Sequence, residues 1–499
     1  MARALVIGSG FGGIASALRL RALGLDVHLI EHLDAVGGRA QVFEHGGYRH
    51  DAGPTVITAP FLFDELFELF GETREHHIEF RELTPWYRFL FPDGDHFDYG
   101  GSLADTLTEI ARIEPKDCKG YESLVKQSKA IFNVGFSKLA HEPFHKFSNM
   151  VKQIPALLKL RSDRTVWNLV CHHLSNDKLR QAFSIQPLLV GGSPFDTTSI
   201  YGLIHYLERA YGIYFAMGGT GALVKALEEL MGRHGITIQT GATVSEMIVE
   251  KRRILGVRLE NGDALYADHV VYNGDPMHLY HELIPNHSLP LSTRVKRDNA
   301  KLSMGLYVLF FGTDCKYTDV AHHTIWMGQR YRELLDDIFH RQILADDFSL
   351  YIHRPTATDP SFAPAGHDSF YILAPVPHQG ANIDWHVEEP KLRERILDAL
   401  DRTMLPGLKS HIQAPFAMTP DDFSEDYLSY KGSGFSIAPL FSQSAWFRFH
   451  NKAEGFENLY LAGAGTHPGA GMPGVISSAK IVERLVQESL TRETTQVNP

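Results

Sequence analysis

Near the start of the chain, Gly8-Ser9-Gly10-Phe11-Gly12-Gly13 has the residue types and spacing to hold a diphosphate. Gly8 allows a sharp turn, Gly10 lets backbone approach the phosphates, and Gly13 lets a following helix pack close to the preceding strand. The N–H groups of that helix's first turn, and the positive end of its dipole, would face the anion. Glu31 adds a carboxylate placed to accept hydrogen bonds from an unphosphorylated ribose. These residues can act together only on a strand, turn, helix and second strand in that order. Ala4-Leu5-Val6-Ile7 is a short apolar run, Ile14, Ala17, Leu18, Leu20 and Leu23 recur at helical spacing, and Asp26–Ile30 is a second apolar run ending on Glu31. The pattern predicts one βαβ unit over residues 1–31.

The chain has 499 residues, 44% hydrophobic and 21% charged, which excludes disorder, a small disulfide scaffold and a fibre. That length suggests at least two domains at about 100–200 residues each. A formal charge of −11 leaves no whole-protein basic footprint for nucleic acid. Cys118, Cys171 and Cys315 are far apart, so neither a disulfide framework nor a thiolate metal site is expected. His141 and His145 have a metal-capable spacing, but no third ligand is evident and chance pairs are common among 27 histidines; no metal is expected. Met1-Ala2-Arg3 leads straight into the first apolar run without a signal-peptide core, which points to the cytoplasm. No stretch reads as a membrane span: Leu302–Thr313 is too short and reads as a core strand, and Asn458–Ala479 is broken by five glycines and two prolines.

Further elements follow from the same patterning. Residues 59–71, 103–135 and 222–234 read as helical, the last after Gly218-Gly219-Thr220-Gly221, and residues 236–272 read as strands with a hairpin signal at Asn261-Gly262. Asn458–Gly463 reads as a strand, followed by a glycine-rich loop and a helix over Val475–Leu490. Gly469–Gly474 also fits GxGxxG, but no strand abuts it, so it is not a second Rossmann site.

The motifs Gly8–Gly13, Glu31, Gly37-Gly38-Arg39, Asp51-Ala52-Gly53-Pro54-Thr55, Gly218–Leu223 and the tail Asn458–Val475 together closely resemble the bacterial carotenoid desaturases. Within the wider flavin-containing amine oxidase group, the chain is most similar to bacterial-type phytoene desaturases, nearly end to end. Leu179–Phe183, Leu188–Gly192 and Gln443–Phe447 extend the likeness through the middle of the chain.

The resemblance implies an α/β fold: a Rossmann-type FAD-binding domain assembled from residues 1–75, 215–280 and 430–499, and a mixed α+β substrate domain from 76–214 and 281–429. It implies contact with FAD at Gly8, Gly10, Phe11, Gly12, Gly13, Glu31, Gly38, Arg39, Pro54, Thr55, Val244, Gly463, Thr466 and Met472. Arg39 would support the diphosphate, Val244 the adenine side, and Pro54, Thr55 and the 466–472 loop the flavin ring. The implied activity is successive dehydrogenation of phytoene towards lycopene, or to a partly desaturated intermediate. Oxygen or a quinone would serve as electron acceptor, because no second nucleotide fold is present for NAD(P)H. Rivals of the same kind are diapophytoene or hydroxycarotenoid desaturases and carotenoid isomerases; a non-enzymatic prenyl-binding protein of the same fold is the rival of another class.

A long polyene has no polar handle, so Phe183, Leu188, Leu189, Phe195, Tyr206, Tyr211, Phe215, Met217, Tyr307 and Phe310 are expected near it, each equally readable as plain core. Hydride loss leaves a cation that must shed a proton; His467 is a candidate base, with hydrogen bonding to loop backbone as the plainer reading. Where the family suggests a carboxylate for acid–base work this chain has Asn149, so no catalytic residue is assigned. The stretch 136–164 carries Lys138, Lys146, Lys152, Lys159, Arg161 and Arg164 against Glu142 and Asp163, with Phe144, Phe147, Val151, Ile154 and Leu158 at helical spacing. This basic, amphipathic segment is expected to dock peripherally on the inner face of the cell membrane.

Overall fold

The computed structural model describes residues 2–145 and 160–497, with side chains in the last helix described to Arg492. Arg3–Ile7 and Asp26–Ile30 pair in parallel on either side of the helix Phe11–Ala22, the predicted βαβ unit. The sheet continues with strands from distant parts of the chain. His269–Tyr272 adds beside the first strand, Leu459–Leu461 beside that, and Thr237–Gln239 beside the second, five parallel strands in all. Apolar side chains cover both faces, which is why the strands read as continuous apolar runs. On one face Phe11–Ala22 packs against the C-terminal helix Met472–Val497 and the helix Gly219–Arg233. The other face carries an antiparallel sheet of Val244–Glu250, Arg253–Leu259 and Ala264–Tyr266.

A second, seven-stranded sheet has the order Ile412–Met418, Gly305–Thr313, Asp368–Val376, Leu350–His353, His323–Trp326, Tyr87–Leu90 and His96–Tyr99. It is antiparallel except where Thr324–Trp326 runs parallel to Arg88–Leu90. Every residue of Gly305–Thr313 is buried. Leu306, Val308 and Phe310 face one core, and Tyr307, Leu309 and Phe311 face another under the helix Trp385–Thr403, so this run is apolar on both sides.

Local chemistry accounts for several boundaries. The helical stretch expected over 103–135 divides into Leu103–Ile113 and Asp117–Val134, because Pro115 cannot continue a helix. Ser102 caps the first piece in a box with Asp105. The C-terminal helix begins at Met472 rather than Val475, since Pro473 suits a first helical turn. Residues 146–159, including Asn149 and the middle of the basic segment with Lys146, Lys152 and Lys159, lie outside the described residues. Among the described residues no helix is long and apolar enough to cross a membrane.

Candidate active site

The C-terminal ends of the parallel strands converge on a cavity of about 320 Å³. Gly8 takes φ +90°, which turns the chain sharply from strand to helix. A Cβ on Gly13 would sit 1.9 Å from the Gly8 carbonyl oxygen, so only glycine allows helix and strand to approach this closely. Gly8, Gly10, Phe11, Glu31, Gly38, Arg39, Pro54, Val244, Gly463 and Met472 all line this cavity. Gly12 and Gly13 sit behind its wall, where a Cβ on Gly12 would collide with Asn273 Oδ1.

Glu31 is nearly fully buried. Ser9 Oγ and the Ser9 amide donate to its Oε2 at 2.5 and 2.7 Å, and the Leu33 amide donates to Oε1 at 2.9 Å. The carboxylate thus ties the glycine turn to the end of the second strand and fixes its own orientation in the cavity. Arg39 donates from Nη2 to Ser429 Oγ at 2.5 Å, and makes no ion pair among the described residues. Burial pushes its pKa down, against the charge of Asp275. A half-buried guanidinium without a carboxylate partner in contact, facing a glycine-lined cavity, suits an anion, and a diphosphate meets that need. The residues present therefore fit a flavin dinucleotide.

Thr55 and Thr466 do not line this cavity. Thr55 lines a second cavity, its Oγ1 hydrogen-bonded to the Tyr351 hydroxyl at 2.7 Å. Thr466 lines neither: its hydroxyl donates to the Phe449 carbonyl at 2.7 Å and its carbonyl accepts from Arg448, so it braces the tail loop from within. Gly465 and Gly471 take wall positions there instead. Sequence reasoning missed Asn273 and Asp275, which line the first cavity after the strand His269–Tyr272. The signal was available: Asn273-Gly274-Asp275-Pro276 directly follows an apolar run, as the glycine turn follows the first strand.

The second cavity is also about 320 Å³ and overwhelmingly apolar. Its wall comes from Phe136, Leu139 and Phe144 at one side, Ile185 and Leu188 from the 185–190 turn, Ile204 and Leu207 from the helix Leu203–Tyr211, and Met304 and Leu350 from the large sheet. Pro54, Leu189, Leu306, Tyr371, Phe435 and Met472 line both cavities, which therefore share a wall. Of the apolar residues expected near the polyene, Leu188 and Leu189 are in this wall. Phe183 is instead packed among Phe97, Tyr99 and Tyr121, and Phe195 against Trp167 and Tyr331. Tyr206 packs against Phe132, Tyr211 against Phe61 and Phe215 edge-on against His322, Phe310 stacks on Phe416, Tyr307 donates to Glu389 and Met217 packs at the core's edge. Hydrophobicity alone does not separate a cavity wall from a core.

His467 lines the apolar cavity, and its Nε2 donates to the Leu139 carbonyl at 2.8 Å, the plainer of the two readings. Burial lowers its pKa to about 4. His322, His323 and His353 form a buried cluster behind Tyr351. Tyr351 hydroxyl meets His323 Nδ1 at 2.7 Å, the Nε2 atoms of His322 and His353 lie 3.1 Å apart, and His322 Nδ1 meets Thr358 Oγ1 at 2.7 Å. Burial drives His323 to about 3, so the cluster holds neutral imidazoles joined by hydrogen bonds.

A parallel sheet with a glycine-lined anion cavity, opening beside an apolar chamber, defines a flavin oxidoreductase. The chain belongs to the flavin containing amine oxidoreductase family, which it matches over residues 11–483, and within it to the phytoene desaturases. It is 45% identical over 486 residues to the phytoene desaturase (lycopene-forming) of Pantoea ananas, covering 97% of this chain and 99% of that protein. It is 41% identical to the phytoene desaturase (neurosporene-forming) of Cereibacter sphaeroides, covering 98% and 95% respectively. Among solved structures, an oxidoreductase from Methanosarcina mazei superposes with a TM-score of 0.65 at 16% identity, over 97% of this chain and 100% of that one, a likeness of fold.

Proposed function

We propose that this protein is an FAD-dependent phytoene desaturase that introduces double bonds successively, forming lycopene or neurosporene. The observation that carries the reading is the apolar cavity sharing a wall with the cavity that holds Arg39 and the glycine turn. The relatives name the substrate. In this reading residues 1–75, 215–280 and 430–499 carry the cofactor, and 76–214 and 281–429 enclose the substrate.

FAD, when bound, supplies the two-electron chemistry by taking hydride. The chain's own residues position and shield that event. Arg39 balances the diphosphate, Glu31 takes the adenosine ribose, and Pro54 and Met472 stand where cofactor and substrate chambers meet. The start of the helix Met472–Val497 brings unpaired N–H groups and a partial positive charge to that boundary, which favours added electron density there. Leu188, Leu189, Leu306 and Leu373 exclude water around the polyene. Oxygen or a membrane quinone accepts the electrons.

The protein is peripheral to the membrane in this reading. Phe136, Leu139 and Phe144, at the start of the basic segment, line the apolar chamber, so a carotenoid leaving a bilayer would meet that wall first. The deciding experiment is incubation with phytoene, FAD and liposomes, with pigment identification: desaturated C40 products are expected, and unchanged phytoene with folded, flavin-loaded protein overturns the reading. Flotation with anionic vesicles tests the membrane contact, which fails if no protein floats at low salt.

A further inference from the structure

The apolar chamber contains a carboxyl group that the desaturation chemistry has not yet used. Glu208, on the helix Leu203–Tyr211, lines the chamber and is fully buried. Its Oε1 accepts weakly from the Tyr87 hydroxyl at 3.4 Å, the Tyr99 hydroxyl also faces the carboxyl, and Oε2 is buried without a well-formed hydrogen bond. A carboxyl oxygen so poorly satisfied in an apolar wall is costly to keep unless it serves something that enters the chamber. Its position suits the chemistry. Glu208 lines the same chamber as Tyr351 and Thr55, which are hydrogen-bonded to each other, and as Pro54 and Met472, which stand in the wall shared with the cofactor cavity.

Resting on the desaturase reading, we infer that Glu208 is the proton acceptor of the desaturation, through Oε2. One carbon of the polyene gives up hydride to the flavin, which gains two electrons. The adjacent C–H bond then breaks, its electron pair becomes the new C=C π bond, and its proton passes to the Glu208 carboxylate. The transfer joins a cation to an anion and leaves two neutral groups, which a low-dielectric chamber favours. The alternative acceptor, His467, would have to hold a positive charge in the same apolar surroundings, and burial opposes that.

Burial raises Glu208 to about 8, with the Arg209 charge acting against it. The titratable groups around it are Tyr87 and Tyr99 from the neighbouring strands, Tyr121 from the helix Asp117–Val134, and Arg209 on its own helix. Arg209 is held away by Gly101 and Thr106, and the three phenols stay neutral. The resting chamber is therefore neutral, and the reactive form is the ionised fraction, which grows tenfold per pH unit until about pH 8.

The test is Glu208→Gln, which copies the neutral acid in shape and should fold and bind FAD as the parent does. Turnover of phytoene is expected to fall by about 100-fold or more, and to lose its rise between pH 6 and about pH 8. Glu208→Asp should keep that rise at a reduced rate. Independently of flavin, infrared titration of the protein should show a protonated-carboxyl band that disappears near pH 8 and is missing from Glu208→Gln. Wild-type protein that converts no carotenoid overturns the function and this role with it. Wild-type turnover matched by Glu208→Gln in rate and pH profile overturns the role alone, as does an infrared spectrum unchanged by the substitution.

Discussion

Replacing Gly13 by alanine tests the cofactor site through a single methyl group. Its Cβ would lie 1.9 Å from the Gly8 carbonyl oxygen and 3.0 Å from the carbonyl carbon. Ordinary contact needs about 3.4 Å, so backbone must separate by more than 1 Å. No side chain can rotate away, because the obstacle is the strand itself. The Gly13 amide donates to Gly10 at 2.8 Å and Ile14 to the same carbonyl at 3.0 Å, so displacement unlatches the helix start as well. Overpacking of this kind costs about 1–3 kcal/mol, and more where backbone is the obstacle. Part of that appears as lost stability and part as a misplaced anion cradle. FAD affinity should fall at least tenfold, about 1.4 kcal/mol, and the melting temperature by several degrees. Fluorescence titration of apoprotein with FAD and a thermal melt read the two effects. Affinity within twofold of the parent with an unchanged melt would show that helix and strand are not held this close, and the site geometry would be wrong.

Arg39→Met should weaken FAD binding by about 1.5–3 kcal/mol, roughly 10–150-fold, while leaving the apoprotein melt unchanged or higher because a cation that burial disfavours is gone; equal affinity would remove Arg39 from the diphosphate. Burial lowers His50 and His323 to about 3 and His205 and His467 to about 4, so the unfolded chain binds more protons below its ordinary histidine value of about 6.5. Their stabilising contribution is full above that value and is lost as pH falls toward 4 and 3, at about 2 kcal/mol per group by pH 5. Near-ultraviolet circular dichroism should therefore show cooperative unfolding near pH 5, and a native spectrum at pH 4 would contradict the burial of these rings. Leu189→Trp, at a position in the walls of both cavities, should shift products toward fewer double bonds with FAD binding retained; an unchanged product profile on chromatography would take Leu189 out of the substrate path.

The βαβ unit was legible because its signals are local: the turn, the helix and both strands lie within residues 1–31, and each glycine has its own steric reason. The tail was legible for the same cause, a short strand followed by glycines and a helix. The walls of the apolar chamber were not. Phe183 and Leu188 are five residues apart and equally apolar, yet one is locked among aromatic rings and the other faces the cavity, a difference set by strands and helices far away in the chain. Thr466 and Glu208 show the same limit from opposite sides. A threonine in a flavin-facing loop turns inward because Phe449 and Arg448 are there to hold it. Glu208 becomes a basic carboxylate because the apolar wall closes over it, against the opposing pull of Tyr87 and Arg209. The sequence by itself determined the nucleotide turn, the class of fold and the family, since these rest on spacing along the chain. Which side chains meet in the chamber, and which of them can hold a proton there, only the tertiary structure decided, because burial and charge are properties of neighbours that come together from distant parts of the chain only when the sheets fold around one another.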